Sequence, residues 1–410
     1  MQTVKADAQQ IWQQAIRAVQ PDQAVKRALE RVSFSGAVHL VAIGKAAWSM
    51  ANAAHEALGS AIADGVVITK YDHSHGPIGS LQIFEAGHPV PDENSYRAAQ
   101  AAMELVAPLG ADDTVLFLVS GGGSALFEKP LVSGEEMADV TQQLLACGAD
   151  IVEMNTIRKR LSAVKGGKFA ELCAPAKVFS IVLSDILGDP LDMIASGPAY
   201  PDSSTCEEAL HLAEKYALRL SSQARSFLSQ ETPKTLSNVE THITGSVREL
   251  CAAAQNEAQA LGYSCQLLTD RLCCQAREAG SFLASIAKTH ADTRQSLAFL
   301  AGGETVVKLT GKGLGGRNQE LALAAAPGIS GLTDTAVFSF GSDGTDGPTD
   351  AAGGYVDQDT EETLRALGIR TQDVLQANDS YHALERVGGL IVTGPTGTNV
   401  NDLAMILIRR

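Results

Sequence analysis

No run of apolar residues in this chain reaches the roughly 20 that a bilayer-crossing helix needs. The opening MQTVKADAQQIWQQAIRAVQ also lacks an apolar core of signal-peptide length, so the expected location is the cytoplasm. Basic residues are few: 32 Lys and Arg against 47 Asp and Glu leave a formal net charge of −15. Nucleic acid and anionic membrane are repelled over most of such a surface, and neither is expected as a partner. An anionic ligand must instead be met by a local basic site. The seven cysteines are odd in number, include the adjacent Cys273 and Cys274, and contain no C-x-x-C spacing. A disulfide framework or a zinc site therefore has little support. Neither a G-x-x-x-x-G-K-[ST] P-loop nor a G-x-S-x-G nucleophile elbow occurs.

What is present is a globular composition, 45% hydrophobic and 19% charged over 410 residues, more than one core usually organises. Two domains are expected, residues 1–236 and 237–410, with the active site in the cleft between them. The junction is read from ETPKTLSNVETHITGS, which mixes Pro, Ser, Thr and Asn without apolar periodicity. The first forty residues read as helical, with Ile11, Trp12, Ile16, Val19, Val25 and Leu29 forming an apolar stripe suited to a neighbouring sheet. Beyond them VHLVAIG, GVVITK, LQIFEAG, TVLFLVS and KVFSIVLSD read as short apolar strands alternating with helices. That alternation predicts an α/β fold, a Rossmann-like parallel sheet with helices on both faces. The second domain reads as a smaller α/β unit with strands SCQLL, SLAFLAGG, TVVKLT, TAVFSFG and GGLIVTG. Ligands of such sheets bind beyond the carboxyl ends of the strands.

Several motifs stand there. Ser120, Gly121, Gly122, Gly123 and Ser124 offer successive N–H groups and two hydroxyls at an expected helix start, which suits a phosphate; a plain tight turn is the competing reading. Lys45 follows the first strand and is either an anion-binding point charge or a solvated lysine. Arg158, Lys159, Arg160, Lys165 and Lys168 crowd into eleven residues. A solvated helix face is the usual explanation of such a run, while KGGK around Lys165 offers an anion cradle. Two acidic loops follow strands, one with Asp185, Asp189 and Asp192, the other with Asp343, Asp346 and Asp350. Carboxylates of this kind suit Mg²⁺ bridging phosphate oxygens, and they are also ordinary turn residues. TGPTGTNVNDL adds Asn399 and Asp402 as hydrogen-bonding groups for a polar ligand.

The stretch ETVVKLTGKGLGGRNQELALAAA matches G-x-G-x-x-G at Gly311, Gly313 and Gly316, between an expected strand and an expected helix. Arg317 directly after the glycines, and an Asp- and Thr-rich loop after the next strand, suit phosphoryl transfer better than a dinucleotide site. Gly315 and Gly316 are accordingly read as part of an anion-binding turn.

Taken jointly, GKAAWSM, GHPVPDENS, SGGGSALFEKP, VKGGK, SDILGDPLDMIASGP, the glycine-rich stretch, SDGTDGPTDAAGG and TGPTGTNVNDL closely resemble the glycerate 2-kinase family with a C-terminal MOFRL domain, over roughly residues 5–408. The resemblance implies ATP-dependent phosphorylation of D-glycerate to 2-phosphoglycerate with a divalent metal, Mg²⁺. Within that activity the residues chosen are Lys45, Arg317 and Asp189 for catalysis, Asp189 and Asp346 with Asp343 in reserve for the metal, and Lys45, Arg317, Asn399 and Asp402 for substrate contacts. Some relatives carry the label hydroxypyruvate reductase, which makes an NAD(P)H-dependent reductase the alternative. A non-catalytic nucleotide-binding regulator is a third class. The partners expected are small molecules, with a homodimer left open.

Overall fold

The computed structural model describes residues 3–30 and 32–410, which form two compact units, Pro21–Thr244 and Gly245–Arg410 with the N-terminal segment through Gln20. In the first unit a six-stranded sheet runs in the order β3-β2-β1-β4-β5-β6, with β1 Val38–Ile43, β2 Ile62–Lys70, β3 Gln82–Ala86, β4 Thr114–Val119, β5 Lys177–Leu183 and β6 Val239–Gly245. The pairs β1/β2, β2/β3, β1/β4 and β4/β5 are parallel. Because side chains alternate across a strand, Leu40 and Ala42 of β1 enter one core while Val41 and Ile43 enter another on the opposite face. Both faces are covered, which is why β1 and β4 read as nearly continuous apolar runs. A satellite core joins helices Gly134–Ala146, Ile151–Arg160, Cys206–Lys215 and Ser222–Leu228.

The second unit has the sheet order β11-β10-β9-β12-β8-β7, with β7 Ser264–Leu272, β8 Leu297–Gly303, β9 Thr335–Gly341, β10 Gly353–Asp357, β11 Leu390–Ile391 and β12 Asp402–Ile408. Only β7/β8 is parallel; β8/β12, β12/β9, β9/β10 and β10/β11 are antiparallel. The helix Arg317–Ile329 packs on this sheet with almost every residue buried, which explains its alanine-rich LALAAA.

Three expectations change. The division falls at 244/245 rather than 236/237, and the helix Val4–Ala18 belongs with the C-terminal unit. Its apolar stripe is buried there: Trp12 meets Phe338 of β9 edge-on at 5.7 Å, and Tyr263 donates a 2.6 Å hydrogen bond to Asp7. TVVKLT is not a strand. Its Val306 forms one isolated bridge to Gln275, Val306 and Leu309 are exposed, and GGLIVTG keeps only two strand residues. DLAMILI, absent from the expected strands, is β12 and is wholly buried between β8 and β9.

Candidate functional site

The strand order of the first sheet reverses between β1 and β4, and a crevice at such a reversal, outside the strands' carboxyl ends, is where open α/β sheets bind ligands. Two of the sequence motifs meet at this point. Lys45 follows β1, and its N–H donates to Gly121 O at 2.9 Å. Ser120 follows β4; its hydroxyl donates to Ile43 O and accepts from Ala46 N–H, each at 3.1 Å. Gly122 sits at φ +87°, a left-handed conformation that glycine adopts without steric cost, and from it the short helix Gly123–Leu126 departs.

Side chains close around this turn. A Cβ on Gly122 would lie 3.0 Å from the His88 ring and 3.2 Å from Lys45 Cγ, and one on Gly121 would lie 2.3 Å from Asp185 Oδ2. Arg158 donates to Ser124 O at 3.4 Å, and the Ser124 hydroxyl pairs at 2.9 Å with that of Ser196, which donates to Asn155 Oδ1 at 3.0 Å. Burial, together with the positive charges of Lys45 and Lys70 and neighbouring His73, holds the His88 imidazole below its ordinary pKa. Asp189, in the loop after β5, has a left-handed φ of +54° and a buried Oδ1 with no hydrogen-bond partner among the described residues. Sequence reading singled out Lys45, Ser120–Ser124 and Asp189 but passed over His88, Asn155 and Ser196. His88 had a signal in GHPVPDENS and Ser196 in SDILGDPLDMIASGP; that Asn155 and Ser196 meet Ser124 is decided by long-range packing.

The basic run has another role than either one expected. Lys165 is fully buried, 2.5 Å from Glu128 Oε2 and 3.1 Å from Phe127 O, and burial lowers its pKa to about 8 against the raising effect of Glu128. Gly166 and Gly167 donate their N–H groups to Ser196 O and Gly197 O at 3.1 and 2.8 Å, so KGGK is a packing turn rather than an anion cradle. Lys159 and Arg160 are buried around Asp202, at 3.0 and 3.7 Å. Lys168 bridges the carbonyls of Lys159, Arg160 and Ser162, where a cation meets the negative end of a helix. A solvated face describes none of these three.

In the second unit the register places Gly303, Asp402 and Gly341 side by side, and the helix Arg317–Ile329 begins at that edge. Arg317 forks onto Asp402 at 2.5 and 2.9 Å and reaches Glu304 at 3.3 Å. Glu320, one turn into the helix, pairs instead with Arg277 at 3.0 Å. Asp402 is raised above the usual carboxylate range by burial, with Arg317 acting in the opposite sense. Asp346 caps the same helix from a distant loop, accepting from the N–H groups of Asn318 at 3.1 Å and Gln319 at 2.9 Å. Burial nevertheless pushes its pKa up to about 6. Asp343 accepts from Thr345 N–H at 3.0 Å, and Asn399 accepts from Asn401 N–H at 3.4 Å.

Four N–H groups of the glycine-rich stretch are bonded inside the protein. The N–H groups of Thr310 and Gly311 go to Asn378 Oδ1, that of Gly313 to Ala377 O, and that of Leu314 to Asp379 Oδ1, all within 2.7–2.9 Å. A Cβ on Gly311, Gly313, Gly315 or Gly316 would strike, respectively, Ala377, Asp379, Ser380 or Asp346 at 2.1–2.5 Å. These glycines permit close packing. Gly315 and Gly316, expected in an anion-binding turn, lie against Ser380 and Asp346, with no room for a side chain.

Among the described residues no group of three or more His, Cys, Asp or Glu has the geometry of a metal site. Each oxygen of Asp346 accepts one helix N–H bond, which ties this carboxylate to the helix start. The orphaned buried oxygen of Asp189 fits a ligand role, for a Mg²⁺ ion that draws most of its ligands from phosphate oxygens and water.

Two family models match the chain: Domain of unknown function (DUF4147) over residues 7–229 and the MOFRL family over residues 297–402. The chain is 53% identical to a D-glycerate 2-kinase of Thermotoga maritima, covering 99% of each. It is 40% identical to a putative hydroxypyruvate reductase of Agrobacterium vitis, covering 90% of this chain and 86% of the relative. The crystal structure of a glycerate kinase from Thermotoga maritima superposes with a TM-score of 0.96 at 54% identity, covering 98% of this chain and 99% of that one.

Proposed function

Because the chain belongs to the glycerate 2-kinase family, we propose that it transfers the terminal phosphoryl group of ATP to the 2-hydroxyl of D-glycerate. The observation that carries this reading is the turn Ser120–Ser124 at the strand-order reversal, with Lys45 and Arg158 drawn around it in a chain of net charge −15. Positive groups in a shielded crevice stabilise charge on a transferring phosphoryl group, and positioning with electrostatics supplies most of the catalysis of this reaction. Lys45 is assigned to a phosphoryl oxygen or the acid's carboxylate, and the hydroxyls and N–H groups of Ser120–Ser124 to phosphate. In the second unit Arg317, aligned by Asp402, is assigned to an anionic oxygen of a reactant, with Asn399 a further polar contact. A bound Mg²⁺, held by Asp189 on the protein side, supplies neutralisation of phosphate charge.

The reductase reading has less support: the relative so named is 40% identical, against 53% for the D-glycerate 2-kinase, and in the stretch that matches a dinucleotide fingerprint the N–H groups of Thr310, Gly311, Gly313 and Leu314 are bonded to residues 377–379. A coupled ADP-release assay with D-glycerate, tartronate, lactate and hydroxypyruvate tests the proposal. Turnover of ATP with D-glycerate is expected. No ATP turnover, together with NAD(P)H oxidation on hydroxypyruvate, would establish the reductase instead, and ATP binding without turnover on any acid would establish a regulator.

A further inference from the structure

GHPVPDENS brings a histidine to the turn, and phosphate binding alone gives that histidine no task. His88 is half-buried against Gly122, beside the Lys45 stem. The charged and titratable groups that face it are Lys45 after β1, Lys70 at the end of β2 and His73 beyond β2, while Asp185 closes over the neighbouring Gly121. His73 is itself tied to the turn, 3.2 Å from Lys45 O. A lysine ammonium is a donor only. A carboxylate such as Asp185 can accept a proton but repels the phosphate and the acid it would have to approach. An uncharged imidazole among lysines accepts a proton without that repulsion, and the positive neighbours favour the uncharged form.

We propose that His88 is the proton acceptor for the attacking hydroxyl of the hydroxy acid, an assignment that rests on the kinase reading above. The hydroxyl oxygen forms a bond to the γ-phosphorus of ATP as the bond from that phosphorus to the β–γ bridging oxygen breaks. The bonding pair leaves with ADP, and the hydroxyl proton passes to the free ring nitrogen of His88 and then to solvent.

His88→Gln keeps a hydrogen-bonding side chain of similar reach that cannot accept a proton at neutral pH. With folding checked by thermal melting, kcat is expected to fall about 100-fold or more, the usual weight of general-base catalysis, with little change in the KM for D-glycerate. The wild-type acid limb of kcat/KM, expected below the ordinary histidine value of 6.5, should vanish in the variant. Independently of turnover, the His88 ring signal in NMR, identified by its loss in His88→Gln, should titrate below that value and move on addition of D-glycerate. A variant within tenfold of wild type that retains the acid limb overturns the assignment. So does a tenfold rise in glycerate KM at unchanged kcat, or a ring signal that D-glycerate leaves in place. A wild-type enzyme that phosphorylates no hydroxy acid overturns the kinase reading, whereas an active wild type with an unaffected variant overturns His88 alone.

Discussion

Two glycine-rich turns in this chain look interchangeable on paper and differ in what their backbone does. At Ser120–Ser124 the turn lies at a reversal of strand order, and basic side chains gather over it. At Gly311–Gly316 the same residue type lets residues 377–380 and Asp346 pack against the chain, and the N–H groups of Gly311, Gly313 and Leu314 are bonded to Asn378, Ala377 and Asp379. Glycine permits close approach by anything, ligand or protein. Where each N–H ends decides which.

The sharpest test of that contrast removes the cation from the first turn. Lys45→Ala should lower kcat/KM by about 100- to 1000-fold, the loss typical of one preorganised charge-stabilising donor, with the melting temperature unchanged. A fall of less than tenfold would place the reacting anion elsewhere.

Next in size is Arg317→Ala, which leaves the buried Asp402 carboxylate without its forked partner. Stability should drop by about 2–3 kcal/mol, less than for a fully buried pair because the guanidinium is partly solvated. Arg317→Ala with Asp402→Asn removes the stranded charge and should recover most of that loss in a urea melt. If turnover returns along with stability, Arg317 is a structural residue only.

Asn378→Ala addresses the second turn alone. It unpairs the N–H groups of Thr310 and Gly311, and a loss of about 1–2 kcal/mol is expected, with KM for ATP unchanged. A weakened KM for ATP would restore a nucleotide role to this stretch.

The smallest effect is a pH dependence. Asp346 has a folded pKa of about 6 against an ordinary 3.8, so the folded state holds its proton more tightly. Its contribution to stability is complete below the unfolded value and is lost as pH rises through 6, about 1 kcal/mol between pH 5 and 7. Asp346→Asn, though less stable overall for want of one acceptor at the helix start, should show a flatter slope of stability against pH in that window. An unchanged slope would mean that Asp346 titrates as an ordinary surface acid.

The alternating apolar strands and helices of residues 38–183 determined the parallel sheet, because strands covered on both faces need nearly every residue apolar. The same local logic located Lys45 and Ser120–Ser124, since strand ends and glycine turns are written in neighbouring residues. Tertiary structure decided the rest. The helix Val4–Ala18 has a stripe that any sheet would accept, and only Phe338, Tyr263 and Arg409 say which unit takes it. Arg160 read as a solvated charge and Lys165 as an anion cradle because Asp202 and Glu128, which offset the cost of their burial, stand 42 and 37 residues away. TVVKLT has strand composition, yet Asn378 claims the N–H groups at its end and it makes only one isolated bridge. Local propensity is a property of neighbours in the chain, whereas the partner of a charge or an N–H group is a property of the folded chain as a whole.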